Sequence, residues 1–129
     1  MHVASGAASG ALLGTRKRAL VAGPLLHFVA DAIPHQDIAS RRFEIRSGLL
    51  LLALVAARRG PTSPEIAGAL AASAPDIEHV LPLPRPGGRK LFPTHRVHAL
   101  HPSGGVRAWT QLIAAGVIVG LLVSIRKEQ

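Results

Sequence analysis

Apolar residues run along this chain in blocks rather than alternating with polar ones, and prolines, glycines and short basic clusters separate the blocks. Long apolar blocks bounded in this way read as helices rather than strands. The first spans about His2 to Leu13, is rich in Ala and Gly, and is closed by Arg16-Lys17-Arg18. The second runs from Ala19 to about Ile33 and is apolar except for His27 and Asp31. Pro24 would kink or break it, and Pro34 ends it, because the residue before a proline avoids the helical region.

Gln36 to Arg46 is polar and reads as a loop. Gly48 to Ala57 is an unbroken apolar run, stopped by Arg58-Arg59-Gly60-Pro61. Ser63-Pro64-Glu65 combines a capping serine, a proline at the first helical position and an acid in the first turn. It opens a helix over Ile66 to Ala74 that stops at Pro75. Four prolines and two glycines between Leu81 and Pro93 argue for irregular structure there, and a short histidine-rich stretch, Thr94 to His101, follows. Val106 to Ile125 is the most continuous apolar segment. It has about the length a bilayer crossing needs, with Trp109 near one end and Arg126-Lys127 after the other, where interfacial anchors stand. The pattern predicts an all-α chain, a compact bundle of about five short helices, membrane-embedded, with a C-terminal transmembrane helix at about 106–125.

Composition narrows the chemistry. A chain of 129 residues without cysteine forms one domain that can have neither disulfides nor thiolate metal ligands. The formal net charge of +8 raises the question of nucleic acid, but aromatic residues make up only 3% of the chain and no basic fingerprint is present, so no nucleic-acid partner is expected. The basic clusters instead punctuate apolar runs, as charges that meet anionic headgroups do. That predicts membrane lipid as a partner; a solvated basic surface is the competing reading.

The histidines and carboxylates are not scattered. His27 and Asp31, one helical turn apart, share a face and make a two-ligand edge for zinc or a similar ion; beyond Pro34, His35 can fold back toward them. Asp76 and His79, in Pro75-Asp76-Ile77-Glu78-His79, face the same way if a turn forms. His95, His98 and His101 continue at helical spacing. Each group also has a simpler reading: a buried His–Asp hydrogen bond, a polar helix end in water, an exposed basic patch. All seven histidines lie in these places or at His2, and ionisable groups inside apolar segments are costly enough to be kept for function. No phosphate-cradling glycine loop, dinucleotide fingerprint or Ser-His-Asp order is present.

Taken together, the opening Met-His2, the His27-x-x-x-Asp31-x-x-Pro34-His35-x-Asp37 element, Pro75-Asp76-Ile77-Glu78-His79 and His95-x-x-His98 resemble the small bacterial membrane-bound metal-dependent hydrolases, the YdjM-like group. A weaker similarity extends to zinc-dependent phospholipase C. Glu78 stands where that group commonly has Asp, and its His-Arg-x-x-Thr-His-Ser segment is only partly echoed by Thr94 to His98. The resemblance implies a helical protein of the bacterial inner membrane whose divalent metal, zinc or else manganese, is held by His2, His27, Asp31, Asp76, His79, His95 and His98, with His35 as a further candidate. The expected chemistry is metal-assisted hydrolysis of a phosphoester, a lipid headgroup being the natural source, with Asp37 or Glu78 as general base. The alternative is a small membrane protein without turnover, whose His and Asp residues form a structural network or a metal-handling site.

Overall fold

Three of the helices begin where a short polar side chain accepts a backbone N–H. Thr15 accepts from Arg18, Ser40 from Phe43 and Ser63 from Ile66. In the computed structural model, which describes residues 1–100 and 102–125 and only the backbone of His98, the chain forms α1 (His2–Leu13), α2 (Arg16–Ala32), α3 (Arg41–Arg59) and α4 (Pro64–Ser73), followed by two four-residue helices, α5 (Ile77–Val80) and α6 (Pro93–Arg96), and by α7 (Ala108–Ser124), the three caps opening α2, α3 and α4. His101 and Arg126 to Gln129 lie outside the described residues. No strand occurs among the described residues; isolated bridges tie His35 to Ser103 and Val106.

The described residues form seven α-helices, two of them only four residues long, where about five are expected, and α2 and α3 differ in extent. α3 starts at Arg41, not at Gly48, because the Ser40 cap and the acid Glu44 in its first turn carry the helix through a stretch whose polarity reads as loop. α2 is not broken at Pro24; it runs from Arg16 to Ala32.

The membrane-embedded bundle with a transmembrane helix at about 106–125 is corrected. No helix among the described residues is long and apolar enough to cross a membrane. α7 has 17 residues. At about 1.5 Å per residue it spans roughly 25 Å, short of a hydrocarbon core about 30 Å thick. α3 is longer, but Arg41, Arg42, Glu44 and Arg46 occupy its first half.

α4 is the centre of the arrangement and packs against both α1 and α2, while α7 packs on α1 and α3, and α3 also touches α4 and α1. The core is built from small and medium side chains: Ala4 and Ala7 of α1, Val55, Ile66 and Ala69, and Ala115, Val119 and Leu122 of α7. Helices lined with Ala and Gly approach closely. A Cβ on Gly6 would stand 2.4 Å from the Gly68 carbonyl oxygen, and one on Gly10 would stand 2.0 Å from that of Pro64. Neither leaves room for any side chain, so backbone rests on backbone. At the far end of this seam Arg59 Nε and Glu65 Oε1 form a buried ion pair at 3.6 Å.

Candidate metal centre

The small residues that allow close packing are in register with the histidines. On α1, His2, Gly6 and Gly10 follow at four-residue spacing; on α2, Ala19, Gly23, His27 and Asp31 do the same, and these four are buried. One stripe per helix therefore carries both the contact and the chemistry. A Cβ on Gly23 would meet Ala71 Cβ at 2.4 Å. Its absence brings the His27 ring to the end of α4, where Nδ1 donates to the Ala72 carbonyl oxygen at 2.7 Å. A carbonyl can only accept, so in the neutral ring the proton sits on Nδ1 and the Nε2 lone pair points away from α4.

His95 is oriented in the same way by a different acceptor. Its Nδ1 lies 2.6 Å from Glu78 Oε1. Glu78 also accepts the backbone N–H groups of Leu91 and Phe92 and is 2% exposed. Burial pushes its carboxyl pKa upward, but the Leu91 N–H, His95 and the Phe92 N–H outweigh it and hold the pKa down at about 2. Two imidazoles from distant parts of the chain thus direct Nε2 at one place.

The two nitrogens stand 3.3 Å apart. Asp31 Oδ2 lies 3.1 Å from His27 Nε2 and 3.6 Å from His95 Nε2. Asp76 Oδ1 lies 3.8 Å and 3.6 Å from the same atoms. Four ligands at zinc's usual distance of roughly 2.0–2.1 Å in a tetrahedron would be separated by about 3.3–3.4 Å. The five separations that involve an imidazole nitrogen lie between 3.1 and 3.8 Å, around that length. Lone pairs and carboxylate oxygens crowded at this spacing repel one another unless a proton or a cation sits among them. Three sets of side chains can hold an ion in this way: His2 with His27 and Asp76, His27 with Asp31 and His95, and Asp76 with His79 and His95.

The surrounding charges respond to that crowding. Burial alone would raise the Asp31 pKa, yet the hydrogen bonds from His2, His27 and Thr94 hold it far below the usual carboxylate range. Burial would lower the His27 pKa, but its bond to Asp31 and the nearby Asp76 carry it above the ordinary histidine value. Burial lowers His2 despite its contact with Asp31, and burial, reinforced by His95 and Lys90, lowers His79.

The expected site residues therefore separate. His2, His27, Asp31, Asp76, His79 and His95 converge. His35 does not join the three sets: its Nδ1 donates to the Ile33 carbonyl oxygen at 2.7 Å, and the chain beyond Pro34 runs beside Val106 rather than folding back. Asp37, 3.7 Å from His35 Nε2, has a side chain 80% exposed. The side chain of His98 lies outside the described residues, as does His101. Glu78, a candidate base by position, is used as the acceptor that orients His95, and a carboxyl with a pKa of about 2 is a weak base at neutral pH.

Three contributors were not legible in the motifs. Thr94 is buried and donates its hydroxyl to Asp31 Oδ2; its place directly before His95 was the only signal. The Ala72 carbonyl has no side-chain signature at all. Glu44, at the start of α3, feels the charges of Asp76, the amino terminus and Asp37, and its pKa is raised by burial and by Asp76.

Outer hydrogen bonds of this kind give two expected results. Thr94→Val should weaken metal binding by roughly 10–100-fold, the usual cost of losing a partner of a ligand, measured by competition with a chelator. Glu78 has a lower pKa folded than unfolded, so its stabilising contribution is complete above about pH 4.5 and is lost as the pH falls toward 2. Acid titrations of unfolding free energy should fall through that window, and Glu78→Gln should flatten the fall.

No protein-family model matches this chain, and neither does any curated protein or solved structure.

Proposed function

We propose that this protein is a divalent-metal-dependent hydrolase acting on phosphoesters, with zinc as the metal and manganese as its substitute. The observation that supports this reading is the convergence of His27 Nε2 and His95 Nε2 with Asp31 Oδ2 and Asp76 Oδ1, each nitrogen 3.1–3.8 Å from both oxygens, and with both imidazoles locked by an outer acceptor on Nδ1. Zinc prefers imidazole and carboxylate at this number and distance when thiolate is absent. Bound there, the ion would supply Lewis-acid activation of water and of a phosphoryl oxygen.

The chain's own residues carry the remaining tasks. The Asp76 side chain is 40% exposed, so the cluster opens to solvent on its side. Lys90, whose charge reaches His79, would favour an anionic substrate.

Phosphodiesters occur both free and as lipid headgroups. The test therefore compares zinc-reconstituted protein on bis(p-nitrophenyl) phosphate and on phosphatidylglycerol vesicles. Turnover of the soluble ester supports the reaction class; turnover of vesicle lipid alone assigns the headgroup. Stoichiometric metal with turnover of neither leaves a metal-handling protein and overturns the hydrolase reading.

A further inference from the structure

Asp31 and Asp76 each divide their two oxygens between two places. Asp31 turns Oδ2 toward His27 and His95, at 3.1 and 3.6 Å, and Oδ1 toward His2 Nε2, at 3.3 Å. Asp76 repeats the division: Oδ1 faces His27 and His95, at 3.8 and 3.6 Å, and Oδ2 faces His2 Nε2, at 4.0 Å. A carboxylate serving one ion has no need to present its second oxygen to another imidazole. Two carboxylates doing so toward the same imidazole define a second locus beside the first.

We propose that the centre binds two divalent ions bridged by Asp31 and Asp76, the inner one completed by His27 and His95 and the outer one by His2. This rests on the metal-site reading above and extends it to the number of ions and the identity of the distinguishing ligand. The inner locus has four protein ligands and is closed. The outer has three, Asp31 Oδ1, Asp76 Oδ2 and His2 Nε2, which leaves a position for water or substrate as catalytic zinc sites do. It also lies on the accessible side, since the His2 and Asp76 side chains are 17% and 40% exposed whereas those of His27 and His95 are 0% and 4%. Two-metal sites hold their ions about 3.5–4 Å apart, a separation that suits an in-line displacement at phosphorus. The His2 ring is stacked on that of His27, centroids 4.0 Å apart and planes 30° apart, so packing fixes the outer ligand against the inner one.

The test is a Mn(II) titration of the full chain, freed of metal, carrying a C-terminal tag, and followed by metal analysis and electron paramagnetic resonance. The expected result is two Mn(II) per chain with an exchange-coupled spectrum. His2→Ala should halve the stoichiometry and restore the hyperfine pattern of an isolated ion, with helical circular dichroism unchanged. One ion per chain in the wild type, with an uncoupled spectrum, overturns the dinuclear centre but leaves the metal site standing. No bound ion overturns both. Two ions retained by folded His2→Ala overturns the assignment of the outer ligand.

Discussion

Replacing Asp31 with alanine is expected to reduce bound metal from stoichiometric to background and to abolish hydrolysis with it. Asp31 contacts His2 and His27 and accepts the hydroxyl of Thr94, so a single deletion unmakes both faces of the cluster. Loss of an outer partner alone costs about 10–100-fold in affinity, and loss of this ligand should exceed that. The thermal signature separates a lost ligand from a misfolded chain. A metal that binds only the folded state raises Tm with concentration. Wild-type Tm should therefore drop when a chelator is added, whereas Asp31→Ala should start lower and not respond. An unaltered metal content in Asp31→Ala would remove this residue from the centre.

The largest effect on stability is expected at Gly68. A Cβ there would lie 2.2 Å from the Gly6 carbonyl oxygen and 3.1 Å from Gly10 N. Both are backbone atoms of α1 and cannot turn aside as a side chain would. Gly68→Val must therefore part α1 from α4, at a cost above the roughly 1–3 kcal/mol of ordinary overpacking. Because His2 begins α1 and the Ala72 carbonyl ends the same seam, metal affinity should fall together with stability. Gly116 and Gly120 of α7 form the contrast: a Cβ added at either would meet nothing within 4 Å. Gly→Ala at either should stabilise by about 0.5–1 kcal/mol, since helical glycine costs chain entropy that alanine does not. Chemical denaturation of the three variants checks the pair of expectations; equal stability of Gly68→Val and wild type would refute the packing account.

Much of this molecule is readable from its sequence. The helix-stopping proline at Pro34 and the Ser63-Pro64-Glu65 start are local signals that tertiary structure has no reason to override; at Pro75, by contrast, Ala74 stays in the right-handed helical region and the chain passes through a 3-10 turn into α5. The His27–Asp31 pair is equally local, one turn of one helix. The convergence of His2, Asp76 and His95 on that pair could be suspected only from how the histidines cluster along the chain, because nothing in a single segment states which segments meet. Glu78 shows the limit most clearly. Its sequence neighbourhood marks it as a carboxylate beside a histidine, but its role depends on the N–H groups of Leu91 and Phe92, which the proline-rich loop brings back to it. His35 shows the converse. Its spacing after Pro34 permits a return to the cluster, yet the Pro34 carbonyl and the Gln36 N–H pair with Val106 and hold that stretch elsewhere.

The transmembrane expectation failed through length. An apolar run counted from Val106 to Ile125 includes residues that precede the helix: Arg107 caps it, and Ala108 is its first residue. Hydropathy records how apolar a stretch is and not where its helix begins, and near the threshold that difference decides the matter.

The central claim is that separate stretches of this chain aim their lone pairs at one cation. The most direct measurement is an anomalous difference map from crystals of the protein grown with zinc. The account predicts a peak within coordination distance of His27 Nε2, His95 Nε2, Asp31 and Asp76. A map of the same fold with no zinc among those atoms would contradict it.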